Sequence, residues 1–163
     1  KNYISLKLTK PKIAENQPFL VPKKSVFNKI IGDNPFELEL ASFMENKFDD
    51  VVSYAKNTMG EGGVNFKIEY QANDGNIREY YPDFFVKTQP NTFFILETKG
   101  REDLNDIRKI QRLKTWCEDV NNLQSEINYI PIYIKQENWD KYREDIRKFA
   151  DVKKLFELEN LEK

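Results

Sequence analysis

The chain contains no histidine and a single cysteine, Cys117. The first absence removes the usual zinc sites and every Ser-His-Asp or Cys-His arrangement from the chemistry this chain can carry by itself. The second rules out an internal disulfide and fits a reducing cytosol. No apolar run approaches the ~20 residues that span a bilayer, and no signal-peptide pattern opens the chain, so no membrane partner is expected. A Gly-x4-Gly-Lys loop is also missing, so ATP hydrolysis of the P-loop kind is not encoded here. Nor does one sign of charge dominate. The 26 Lys and Arg residues stand against 27 Asp and Glu, a formal net charge of −1, which excludes a strongly basic nucleic-acid binder. Carboxylates, lysines and hydroxyls are what remain for chemistry.

What the chain does have is 39% hydrophobic and 13% aromatic residues over 163 positions, enough for one α/β domain with a real core. It begins at Lys1 without an initiator methionine, as expected of a segment of a longer polypeptide. Residues 1–33 read as an N-terminal extension or linker packing on the core, and residues 34–163 as the domain itself. In the extension, Ile4, Leu6 and Leu8 alternate as in a short strand, and Pro11, Pro18 and Pro22 then interrupt any long element. Val26, Phe27, Ile30 and Ile31 predict a helical turn against the core, and Lys23-Lys24 a solvated loop.

Asn34-Pro35-Phe36-Glu37 is a helix start, with Asn as N-cap, Pro at the first helical position and Glu three after the cap. The stripe Phe36, Leu40, Phe43, Met44, Phe48 and Val51 predicts a helix running to about Asn57. Gly60-Glu61-Gly62-Gly63 reads as a turn. Alternation over Val64–Tyr70 predicts a half-buried strand, the Asn73-Asp74-Gly75-Asn76 turn returns it, and Ile77–Val86 closes a hairpin. Pro82 donates no ladder hydrogen bond, so a break is expected there, of the kind that re-aims Asp83 towards the face of Glu97 and Lys99. Thr92–Lys99 reads as a central strand, apolar at both parities over Phe93–Leu96. A helix over about Asp103–Asn121 follows, with Ile110, Leu113, Cys117 and Val120 on one face, so Cys117 and Trp116 are read as packing. Ile127–Ile134 is a strand that can lie parallel to Thr92–Lys99 through that helix, at an edge because of Pro131. Glu137–Ala150 and Val152–Leu161 read as charge-rich helix.

The chemistry concentrates in two stretches, Pro82-Asp83 and Glu97-Thr98-Lys99. Side chains two apart on a strand share a face roughly 6.6 Å apart, so Glu97 and Lys99 project together and Thr98 points the other way. Two charges closing a buried strand are costly unless they are paired, metal-bound or at the rim. Read structurally, they are an ion pair and a turn aspartate. Read chemically, two carboxylates and water suit a hard cation, Mg²⁺ or Mn²⁺, with a lysine beside them to hold the attacking water and offset charge on a phosphoryl transition state.

Pro82-Asp83 with Glu97-Thr98-Lys99 resembles the signature of the PD-(D/E)xK nuclease superfamily. The longer pattern Tyr80-Tyr81-Pro82-Asp83-Phe84, Glu97-Thr98-Lys99-Gly100 and Trp116-Cys117 is similar to the endonuclease domain of type III restriction enzymes, in their Res subunits, over about residues 24–121. The resemblance implies an α/β restriction-endonuclease-like core, a four-stranded mixed sheet flanked by helices in the order α-β-β-β-α-β. It implies Mg²⁺-dependent hydrolysis of double-stranded DNA, with the ion held by Asp83, Glu97, the Thr98 carbonyl and an acid of the first helix, Glu37, or failing it Glu39. Glu37 can equally serve as the capping-box acid. Lys99 would position the water, and Lys109 or Gln111 would contact DNA. The implied partners are a helicase/ATPase motor in the same polypeptide and a methyltransferase (Mod) subunit, in a bacterial cytoplasm. Two other readings stay open: a catalytically silent nuclease fold that docks or positions DNA, and a repair or phage-type nuclease of the same fold.

Overall fold

The computed structural model describes residue 6 and residues 16–157. Its elements are β1 (Phe19–Leu20), β2 (Ile30–Ile31), α1 (Pro35–Asn46), β3 (Ser53–Lys56), β4 (Ile68–Gln71), β5 (Ile77–Tyr80), β6 (Phe84–Gln89), β7 (Thr92–Lys99), α2 (Asp106–Leu123), β8 (Asn128–Lys135), α3 (Gln136–Tyr142) and α4 (Phe149–Phe156). A four-stranded mixed sheet in the order β3-β6-β7-β8 organises the chain. β3–β6 and β6–β7 pair antiparallel, and β7–β8 pair parallel across the α2 crossover. Two small two-stranded sheets, β1–β2 and β4–β5, lie outside it. Among the described residues no helix is long and apolar enough to cross a membrane.

Strand alternation divides the core. Phe84, Val86, Phe94 and Leu96 pack with α1, α3 and α4 through Leu40, Met44, Trp139, Phe149 and Phe156. Ile95 and Tyr80 pack with Leu113 and Cys117 of α2 on the opposite face. A strand buried at both parities must be central, and β7 is. Pro131 sits on β8 at the sheet's edge, as its missing N–H requires. Cys117 is buried, and Trp116 packs edge-on against Phe66 and Tyr129.

Several sequence expectations are corrected. The first helix stops at Asn46 instead of continuing to Asn57. The Lys24 ammonium donates to the Met44 carbonyl in the last turn at 3.1 Å and to the Phe48 carbonyl just past the helix at 2.7 Å, so Lys24 caps the helix end and is not a solvated loop residue. Asp50 is committed elsewhere, accepting the N–H groups of Phe149 and Ala150 at the start of α4. The β-prone run that follows then pairs with β6 as β3 at the edge of the main sheet, in place of the Val64–Tyr70 strand. That segment is strand only over β4, which pairs with β5 alone. Val26–Phe27 lies in a bend and Ile30–Ile31 in β2, not in a helical turn, although Phe27 and Ile30 do join the core. The last helical stretch is split, with α3 ending at Tyr142 and α4 opening at Phe149. The expected strand around Leu6 lies mostly outside the described residues; Leu6 itself packs against the first core face.

Candidate functional site

Pro82 separates β5 from β6, and a buried amide pins the interruption. Asn57 Nδ2 donates to the Pro82 carbonyl at 2.7 Å and to the Phe66 carbonyl at 2.8 Å, and the Asn57 N–H donates to the Asp83 carbonyl at 2.7 Å. The Asp83 N–H in turn reaches the Leu96 carbonyl at 2.8 Å. This re-aims the Asp83 carboxylate onto the end of β7. Its Oδ2 accepts from the Thr98 N–H at 2.8 Å and from the Thr98 hydroxyl at 2.6 Å. The two halves of the motif therefore meet, but through Thr98, which lies between Glu97 and Lys99 and faces the α1 side.

On that side Glu37 has a double commitment. It completes the cap of α1: its N–H donates to Asn34 Oδ1 at 3.0 Å, while its carboxylate accepts from the Asp33 N–H at 2.9 Å and from Asn34 Nδ2 at 3.0 Å. It also forms an ion pair with Lys56, Nζ to Oε2 2.8 Å. The same ammonium is 3.3 Å from Asp83 Oδ1 and 3.3 Å from Asp33 Oδ2. The capping and site readings of Glu37 are thus compatible. Burial raises the Glu37 pKa, Lys56 opposes that, and the Asp83 charge adds to it. For Lys56 burial pulls the pKa down, yet Asp83, Glu37 and Asp33 together outweigh it and leave it raised. Glu39 is engaged by Arg143 at 2.6 Å.

On the α2 side, Glu97 and Lys99 follow the strand alternation. Tyr80 donates its hydroxyl to Glu97 Oε2 at 3.0 Å. Burial, then the charge of Asp83, hold the Glu97 carboxyl well above the usual carboxylate range; Tyr80, Lys109 and Lys99 act against this. Lys99 is drawn to α2, 3.0 Å from Asp106 Oδ1 and 3.4 Å from Asp103 Oδ2. Lys109 shares the same acids at 3.1 and 3.5 Å, and although burial lowers its pKa they leave it raised. Gln111 is exposed, about 200° round the helix from Lys109. An open cleft of about 440 Å³ lies at this end of the sheet, lined by Asn34, Phe36, Glu97, Lys99, Arg101 and Gln136 among others.

Asp83 is thus electrostatically coupled to both faces, to Glu37 on one and Glu97 on the other. Among the described residues no three acids are gathered closely enough to cage a metal ion by themselves. A magnesium site needs only one or two carboxylates and keeps its waters. Glu37 and Glu97 are each raised above the ordinary carboxylate value by burial, with the Asp83 charge adding to it, so a cation beside either would lower the cost of ionising it.

Sequence reasoning missed Lys56, Asp33, Asn57, Tyr80 and Asp106. Lys56 and Asn57 were hidden by the over-extended helix, although Asp49-Asp50 ahead of Val51-Val52-Ser53-Tyr54 is a stop followed by a strand signal. Tyr80 was part of the quoted motif without a role. Asp106, at the start of α2, lies three residues from Asp103, a spacing that one helical turn closes. No protein-family model, no curated protein and no solved structure matches this chain.

Proposed function

We propose that this domain is a Mg²⁺-dependent DNA endonuclease with a restriction-endonuclease-like core. One observation carries the reading: Asp83, opening the second strand of the main sheet, bonds directly to Thr98 between Glu97 and Lys99 at the end of the third. The element order supports it. α1, β3, β6, β7, α2 and β8 run α-β-β-β-α-β, with Glu37 supplied by the first helix. The sequence pattern resembles that of type III restriction enzymes, and on that resemblance a helicase/ATPase motor in the same polypeptide and a methyltransferase (Mod) subunit are the proposed partners. A net charge of −1 accords with DNA being held largely by such partners.

Asp83 and Glu97 would hold the ion, with the Thr98 carbonyl and Glu37 as further oxygen donors. Mg²⁺ or Mn²⁺, when bound, polarises a phosphoryl oxygen and acidifies a coordinated water. Lys99 Nζ faces the α2 acids, from which it orients the water and offsets charge growing on the phosphoryl group. Tyr80 keeps the Glu97 carboxylate oriented through its 3.0 Å hydrogen bond. Lys109, beside Lys99 on the same acids, would contact a DNA phosphate.

The test is nicking of supercoiled plasmid with Mg²⁺ or Mn²⁺, alongside Asp83→Ala and Lys99→Ala. Metal-dependent nicking lost in both variants supports the reading. DNA binding without nicking under any divalent ion replaces it with a silent, DNA-positioning domain.

A further inference from the structure

Resting on that nuclease reading, a second lysine acquires a role. Lys56 ends β3 with only 3% of its surface exposed, among the most buried charged residues described. Its Nζ lies 2.8 Å from Glu37, 3.3 Å from Asp83 and 3.3 Å from Asp33. It also sits 5.2 Å from the centre of the Phe84 ring, packed on the floor of the sheet. A buried ammonium needs a partner, yet a single carboxylate would suffice for that purpose. Here three converge, and two of them are acids assigned above to the ion. The motif lysine does not do this, because Lys99 is drawn to Asp106 and Asp103 on the other face.

Two effects of Lys56 on the site oppose each other. It could hold Glu37 and Asp83 in place and so favour cation binding, or neutralise them and so weaken it. The hydrogen bonds decide. Glu37 keeps the Asp33 N–H and Asn34 Nδ2 without Lys56, and Asp83 keeps both donors of Thr98. Both carboxylates are oriented by other groups, so the charge is the larger effect. A unit charge on the same oxygens changes cation affinity on the order of tenfold or more.

We propose that Lys56 is the site's resident counter-ion: its ammonium occupies the Glu37 and Asp83 oxygens and competes with the divalent cation for them. The affinity for Mg²⁺ is thereby set low, and the acids stay neutralised and folded when no metal is bound.

The experiment is Mn²⁺ binding followed by the electron paramagnetic resonance of free Mn²⁺, together with thermal melts in EDTA. Lys56→Met is expected to bind Mn²⁺ at least tenfold more tightly while melting lower without metal. Equal or weaker binding overturns the proposal. A readout on the unaltered protein guards against a variant that fails to fold. The ¹H–¹⁵N signal of the Lys56 ammonium, assigned through its side-chain carbons, is expected to shift or broaden on saturation with Mg²⁺. A signal unmoved by Mg²⁺ also overturns the proposal. Wild-type protein that binds Mn²⁺ and nicks DNA, with Lys56→Met indistinguishable in affinity, sinks this inference alone. Wild-type protein that binds no divalent ion sinks the nuclease reading with it.

Discussion

Asp83→Asn changes charge and almost nothing of shape, so it measures what the carboxylate contributes to the fold. Asp83 Oδ2 accepts two bonds from Thr98, at 2.8 and 2.6 Å, and Oδ1 faces the Lys56 ammonium at 3.3 Å. Asparagine has one oxygen for these two positions. With that oxygen on Thr98, its NH₂ group points at an ammonium; flipped, the NH₂ group meets the Thr98 N–H. One donor set is left opposed in either case. A buried hydrogen bond to a charged group contributes about 1.5–3 kcal/mol, and the bonds that survive to a neutral amide are roughly half as strong. Against this stands relief of repulsion with Glu37 and Glu97, both of which feel Asp83, on the order of a few kcal/mol at an effective dielectric of about 20. The attraction to Lys56 at 3.3 Å that is lost with the charge is larger at the same dielectric. The loss wins, and the variant should be about 2 kcal/mol less stable. Urea unfolding in EDTA at pH 7, followed by the fluorescence of Trp116 and Trp139, reads this as a midpoint about 1 M lower. A midpoint equal to or above that of the wild type would show that carboxylate repulsion dominates, and would refute the ranking of these interactions.

Asp106→Asn removes the charged acid shared by Lys99 and Lys109, 3.0 and 3.1 Å away. Single-turnover cleavage should slow about 10–100-fold, the usual loss for a partner that orients a reacting group, with a smaller change in DNA affinity. A rate within twofold of wild type would separate Asp106 from the chemistry. Burial pushes the Cys117 thiol up to about 12 from 9.0, with Glu118 adding to it. Below pH 9 the thiol is protonated in both folded and unfolded chains. As pH rises from 9 towards 12 only the unfolded chain releases its proton, so stability falls, by up to about 1.4 kcal/mol per pH unit from this group. Cys117→Ala should show a shallower alkaline loss, and the native thiol should resist Ellman's reagent until the protein unfolds.

Local signals made much of the fold legible. The cap at Asn34, the two-sided apolar run of β7, the break at Pro82, the buried stripe of α2 and the edge position of Pro131 each follow from the chemistry of neighbouring residues. β3 was not legible. The apolar spacing from Phe36 to Val51 continues at helical period past the true end of α1, and what ends the helix is remote. Lys24 takes one carbonyl of the last turn and one just past it from 20 and 24 residues away, and Asp50 is drawn to α4 from 99 and 100 residues away. Losing β3 meant losing Lys56 and Asn57, so the α1 side of the site could not be read.

The amino-acid sequence by itself determined which reactive groups exist and how they alternate: with neither histidine nor paired cysteines, Asp83, Glu97 and Lys99 stand at strand ends, Thr98 facing away from its neighbours. Only the tertiary structure decided that Asp83 reaches Thr98, that Lys56 settles among three acids, and that Lys99 is tied to α2. Strand alternation is local steric geometry and survives in any context. The choice of a partner for a buried charge is made by whichever distant segments the folded core brings within hydrogen-bonding range.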